Sequence, residues 1–205
     1  MDAAAWNRKY DEGVVWTNEP NAHFTAVASR LPVGRALDLA CGQGRNAVWL
    51  AQQGWTVTAV DFSATALAKG RALAEDRGVD VTWIEADLAH WQPPQCAYDL
   101  VAVLFLHLPK ELRATVLAVA AQALIPGGTI VVMGHDVRNA DEGYGGPQDP
   151  NVLLSPDAVR AELGPLEIVS AQTLRRPVPE EGANDALDTK VVARAPSETP
   201  LDHPG

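Results

Sequence analysis

Between Leu37 and Asp61 the chain reads LDLACGQGRNAVWLAQQGWTVTAVD. An apolar run from Arg35 to Cys41 closes on Gly42-Gln43-Gly44. A helical stripe of Ala47, Val48, Leu50 and Ala51 follows and stops at Gly54, a good helix-terminating residue. A second apolar run then ends in Asp61. Two buried strands joined by one helix must run parallel, because the helix returns the chain to the end it left. This unit constrains the fold more than any other stretch.

The same rhythm continues. Ser63 caps a helix expected to run to about Arg77, residues 79–87 read as a third strand, and 98–108 as a fourth. Lys110 to Leu124 reads as a helix, with Pro109 near its first turn. Pro126-Gly127-Gly128 reads as a turn before a fifth strand over 129–136. Residues 137–154 are rich in Gly, Pro, Asn and Asp and read as a long loop, and Ser155 opens a short helix to about Gly164. The runs 166–176 and 186–195 then read as an antiparallel hairpin at a sheet edge. Alternating strands and helices of this kind give a doubly wound α/β sheet. Upstream, Asn21 caps a helix to Leu31, and the segment before it carries Trp6, Tyr10 and Trp16.

Charge excludes one class of partner. Sixteen Lys and Arg stand against 26 Asp and Glu, a net −10 with no basic run, which is ill suited to a nucleic-acid backbone. No apolar stretch reaches the ~20 residues of a membrane span, and the first residues carry no signal-peptide core. The expected protein is cytoplasmic, binds neither nucleic acid nor membrane, and is one domain over 1–195, with residues 1–32 as a lid segment and a disordered tail at 196–205. No His, Cys or Asp grouping has metal-ligand spacing, so no metal is expected.

Gly42 to Ala47 matches G-x-G-x-x-A, and Asp61 ends the next strand, where ribose hydroxyls are read. Taken alone, this fits a nicotinamide dinucleotide as well as any other adenosine ligand. Asp38 tips the balance. A carboxylate at the tip of the first strand repels a pyrophosphate and suits a ligand bearing an ammonium. Asp87 and Leu88 close the third strand, placed for a purine amine and a purine face. The remaining chain is also short for the catalytic domain a dehydrogenase adds.

These motifs carry a resemblance. D-L-A-C-G-Q-G, A-V-D-F-S at 59–63, A-D-L at 86–88 and L-I-P-G-G-T at 124–129 resemble, in order and spacing, the motifs of class I S-adenosylmethionine-dependent methyltransferases. Within that family, C-G-Q-G-R-N and the W-N-x-x-Y…W-x-x-x-P start look like the small tellurite-resistance-type methyltransferases. The resemblance implies a Rossmann-like sheet of seven strands, mostly parallel, with the last strand antiparallel. It implies S-adenosyl-L-methionine as cofactor and a small-molecule methyl acceptor. Those relatives carry a late His-Arg pair implicated in catalysis. Here the segment is Leu174-Arg175-Arg176, so Arg176 matches and Arg175 stands where the His would be.

The expected donor site follows. Asp38 holds the ammonium, Ala40, Gly42 and Gly44 give the backbone close approach, and Arg45 reads as a carboxylate partner or an exposed helix residue. Asp61 accepts the ribose hydroxyls. Phe62 and Leu88 read as adenine walls or core residues, and Asp87 as an amine acceptor or a cap. Trp16 and Phe105 complete the cofactor set. His107 and His135, at the ends of strands four and five, and Arg176 are the catalytic candidates. The competing readings are an NAD(P)-dependent oxidoreductase and a non-catalytic S-adenosylmethionine-binding module. Oligomeric state and the attacking atom stay open.

Overall fold

A computed structural model describes residues 3–13, 17–178 and 184–197. The expectations for Trp16 and for the tail beyond 197 lie outside the described residues. Seven strands form one sheet in the order β3-β2-β1-β4-β5-β7-β6. They are β1 (Arg35–Leu39), β2 (Thr56–Asp61), β3 (Thr82–Glu85), β4 (Tyr98–Leu104), β5 (Leu124–His135), β6 (Glu167–Arg176) and β7 (Ala186–Arg194). β1 runs parallel to β2 and β4, and β2 parallel to β3. β7 runs antiparallel to both β5 and β6. The seven-stranded sheet with its antiparallel last strand is therefore as expected.

The chain divides into two compact units. The first holds the residues up to Gln92 together with Leu100–Leu104. It contains α1 (Ala3–Asp11), α2 (Ala22–Ala28), β1, α3 (Arg45–Gln52), β2, α4 (Ala64–Asp76), β3 and most of β4. Leu37, Leu39, Leu50, Leu67, Leu100 and Phe24 are fully buried there. Each such side chain contributes roughly 1.5–3 kcal/mol by leaving water. Winding outward from β1 to β3 and resuming at β4 on the far side of β1 makes the β1/β4 boundary a topological switch point, where such sheets bind ligands.

The caps explain the helix starts. Asn21 Oδ1 accepts from His23 N and Phe24 N at 3.0 and 3.1 Å, and Ser63 Oγ accepts from Ala66 N at 3.1 Å. The N-terminal segment is itself helical. Asn7 Oδ1 accepts from Ser63 Oγ at 2.6 Å and from Thr65 N at 3.3 Å, so α1 is fastened to the first turn of α4.

The second unit contains α5 (Lys110–Gln122), β5, α6 (Asn139–Glu142), α7 (Pro156–Glu162), β6 and β7. Ser155 Oγ caps α7 through Ala158 N at 3.2 Å. The long loop is partly ordered. It forms α6 and a 3₁₀ turn at Pro150–Val152, and buried Asn139 ties it to β7 by accepting from Leu187 N at 2.7 Å.

Three strands differ from expectation at their ends, and α2 stops at Ala28, short of the expected Leu31. β4 stops at Leu104 because Phe105 takes a left-handed φ of 59° and donates its N–H to Met133 O at 2.6 Å. β3 is confined to Thr82–Glu85, because Asp87 turns the chain by accepting from Ala89 N at 2.9 Å. β5 begins early, at Leu124. Gly127, at φ 78°, donates to Ala195 O while Ala195 N donates to Gly128 O, which draws the expected turn into the strand pairing.

Candidate functional site

The Gly-rich turn joins β1 to α3 in the first unit. Ala40, Gly42 and Gly44 all have positive φ, 56°, 55° and 75°. Gly42 N donates to Asp61 Oδ2 at 2.8 Å, and Ser63 N donates to Asp61 Oδ1 at 2.9 Å. The acid ending β2 therefore shapes the loop as well as facing it. Each oxygen retains a second lone pair for a ligand hydroxyl. Burial pushes the Asp61 carboxyl up, against the N–H groups of Ser63, Gly42 and Phe62 that pull it down.

Asp38 is 1% exposed, and its Oδ2 has no hydrogen-bond partner among the described residues. Burial first, then the charge of Asp61, raise its pKa from 3.8 to about 7, against the pull of Arg45 and of the Ala47 N–H. A buried carboxylate with an unsatisfied oxygen costs stability unless a donor arrives, and a cation is the donor that restores its charge.

Each glycine has its own reason. A Cβ on Gly42 would lie 2.6 Å from the Tyr10 hydroxyl, so α1 is laid against the loop. A Cβ on Gly44 would lie 2.3 Å from the Trp83 ring, and one on Gly70 would lie 2.6 Å from the same ring. Gly44 is thus fixed by packing: the Trp83 indole fills the gap between α4 and the loop. Further contacts hold the turn. Gln43 Nε2 donates to Asn18 Oδ1 at 3.0 Å, Asn21 N donates to Asn46 Oδ1 at 2.9 Å, and Lys69 donates to the Tyr10 carbonyl. The sequence singled out Tyr10, Gln43 and Asn46 only as parts of motifs, without these contacts, and it left Trp83 unread.

The structure brings Asp38, Gly42 and Asp61 together, with Arg45 half-buried at the start of α3. Phe62 and Leu88 are half-buried, whereas Asp87 is exposed and bound to its own turn. Phe105 falls in the second unit, among the catalytic candidates. Its ring stands edge-on to His135 with centroids 5.5 Å apart, and the Arg176 guanidinium lies 5.9 Å from the ring.

His107 and His135 stack at 5.3 Å. His135 N donates to His107 Nε2 at 3.2 Å, so that lone pair is in use. Burial first, then the neighbouring His135, lower the His107 pKa to about 4. His135 Nδ1 lies 3.2 Å from Asp188 Oδ1. Arg176 Nε donates to Asp188 Oδ2 at 2.6 Å. Burial alone would raise Asp188, but His135 and Arg176 outweigh it and hold the carboxyl below its ordinary value. Arg175, the next residue along β6, is exposed on the opposite face. Among the described residues no group of three His, Cys, Asp or Glu side chains could hold a metal, and no helix is long and apolar enough to cross a membrane.

The sheet order, the switch point and the acid-flanked turn are those of the class I S-adenosylmethionine-dependent methyltransferases. Residues 36–128 match the family described as "Methyltransferase domain". It is 32% identical over 159 residues to trans-aconitate 2-methyltransferase of Rhodopseudomonas palustris, covering 75% of this chain and 56% of that one. It is 25% identical over 151 residues to thiocyanate methyltransferase 1 of Brassica oleracea, covering 70% and 66%. Its fold matches the crystal structure of TehB from Haemophilus influenzae with a TM-score of 0.71 and 18% identity, over 93% of this chain and 65% of that one. The chain spans about half to two thirds of the curated relatives it matches.

The cofactor of this class is S-adenosylmethionine. The residues present fit it: the unpartnered Asp38 Oδ2 matches an ammonium, and the spare lone pairs of Asp61 match a hydroxyl pair.

Proposed function

We propose that the chain transfers a methyl group from S-adenosylmethionine to a small molecule. The buried, unpartnered oxygen of Asp38 carries this reading, because a dinucleotide would set a pyrophosphate against it. When bound, the cofactor supplies an activated methyl group on a sulfonium. The chain's own work is to bind, orient and exclude water. Asp38 holds the ammonium, and Arg45 with the α3 N-terminus favours the carboxylate. Asp61 accepts from ribose, Phe62 and Leu88 flank adenine, and Asp87 serves its amine. Ala40, Gly42, Gly44, Trp16 and Phe105 complete the cofactor set. Residues 1–32 act as a lid segment of a methyltransferase domain covering 1–195. In this reading Tyr10 against Gly42 is the lid's contact with the loop.

Two similar proteins are named for small acceptors, thiocyanate and trans-aconitate, which supports a small-molecule acceptor here. His107, His135 and Arg176 are the candidates for handling it. The test is a panel of small phenols, carboxylates and thiols incubated with the donor, reading S-adenosylhomocysteine. Acceptor-dependent release that Asp61→Asn abolishes supports the reading. Donor turnover that ignores both the acceptor and that substitution contradicts it.

A further inference from the structure

Three strands of the second unit place one cluster on one sheet face. His135 and Asp188 are direct partners in the β5–β7 ladder. In the β6–β7 ladder Asp188 pairs with Leu174, so Arg176, two residues on, is its diagonal neighbour on the same face. Asp136, Thr173 and Thr189 lie one residue out of phase and form a separate group. There Asp136 Oδ2 accepts from Thr173 Oγ1 at 2.7 Å and from Thr189 Oγ1 at 2.8 Å. The period of two thus separates a fully satisfied structural carboxylate, Asp136, from one that faces two candidates for chemistry, Asp188.

We infer that Asp188 is a positioning residue that fixes His135 as the Nδ1–H tautomer with Nε2 open, making His135, and not His107, the proton acceptor for a protic methyl acceptor. An ionised carboxylate only accepts, so the nitrogen facing it must carry the hydrogen. Asp188 is fully buried with its Oδ1 3.2 Å from Nδ1, and Nδ1 meets hydrogen-bond geometry with no described residue, so this contact is the one that faces it. At the other end of the ring Nε2 makes no hydrogen bond among the described residues, and the backbone of Gly146, at φ 75°, packs beside it, where a Cβ would lie 2.7 Å from Nε2. His107 cannot serve in the same way. Its Nε2 already accepts the His135 N–H, so its one ring proton sits on Nδ1 and no lone pair remains. The step is a proton transfer. The acceptor's O–H, S–H or N–H bond breaks, its electron pair stays on the nucleophilic atom, and the proton forms a bond to His135 Nε2. Asp188 then faces the imidazolium. This places the substrate among protic nucleophiles rather than aprotic chalcogens, and it rests on the methyltransferase reading.

The test is ¹⁵N NMR of the histidine side chains in the ligand-free protein, with diethyl pyrocarbonate labelling as a second readout. The charged or titratable groups facing His135 are Asp188 on β7, Arg176 on β6 and His107 after β4, with Asp136 next along its own strand. The expected spectrum shows His135 protonated at Nδ1 and labelling at its Nε2, with His107 unlabelled. Asp188→Asn should lose the preference for the Nδ1-protonated form of His135, and Asp188→Glu should restore much of it. His135 protonated at Nε2 in the parent, or His107 labelled first, would overturn the inference even if Asp188→Asn fails to fold. Neither readout uses the cofactor, so failure of donor binding is a separate result and counts against the methyltransferase reading alone.

Discussion

The Tyr10 hydroxyl lies so close to Gly42 that a Cβ on the glycine would stand 2.6 Å from it. Gly42 also has a positive φ and donates to Asp61. Gly42→Ala therefore meets three demands at once. The left-handed backbone alone costs about 1–2 kcal/mol with a Cβ. The loop must also shift away from Tyr10 and Asp61. Calorimetry should show donor affinity falling by about tenfold or more, that is ~1.4 kcal/mol. Unchanged affinity would mean that this close approach does not shape the site.

Asp38 gives a pH prediction with a definite sign. Its folded pKa is raised from 3.8 to about 7, so between those values the folded chain holds a proton that the unfolded chain has lost. Stability of the ligand-free protein falls as pH rises through that window and levels off above about 7. An ammonium ligand needs the ionised form, so below about pH 7 binding must expel a proton, and affinity weakens by up to about tenfold per unit. Calorimetry in buffers of different ionisation enthalpy measures the released proton. Asp38→Asn should abolish the release and weaken binding; proton release that persists in the variant would assign it elsewhere.

Trp83 and Gly44 should couple. Gly44→Ala collides with the indole and strains a φ of 75°. Trp83→Leu makes room for the new methyl but leaves the backbone strain. In urea unfolding the double variant should therefore lose less than the sum of the singles, with a coupling of about 0.5–3 kcal/mol. Strict additivity would show that the ring and the loop do not constrain each other.

Arg113 and Glu162 form a bidentate ion pair at 2.8 and 2.7 Å, with side chains 6% and 7% exposed, and Arg113 Nη1 also donates to Leu153 O. Removing one partner strands a buried charge. Arg113→Met or Glu162→Gln should cost about 3–5 kcal/mol, and the paired change to Met and Leu should recover most of it. Urea midpoints check this, and the donor affinity of variants that fold should stay at the parent value.

Local rules made much of this chain legible. Asn21, Ser63 and Ser155 were readable as caps because capping is settled within three residues. Two strand-like runs and the polar stretch between them gave the edge hairpin, and the spacing of four short motifs gave the sheet. Legibility failed where partners are distant in sequence or where backbone geometry decides. Arg113 and Glu162 are 49 residues apart on two helices, and neither carries a local signal. Asp188 is an ordinary acid in ALDTKV until the registers of β5 and β6 bring His135 and Arg176 beside it. The ends of β3 and β4 were overextended because apolar residues continue past them. A left-handed Phe105 and the Asp87 turn end the strands, and neither shows in hydropathy.

The most direct measurement is a parallel calorimetric titration of the purified protein with S-adenosylmethionine, S-adenosylhomocysteine and NAD. The account predicts saturable binding of the first two and none of NAD, with both signals weakened in Asp38→Asn. Binding of NAD alone would contradict it, and the turn from Gly42 to Ala47 would then be a pyrophosphate cradle.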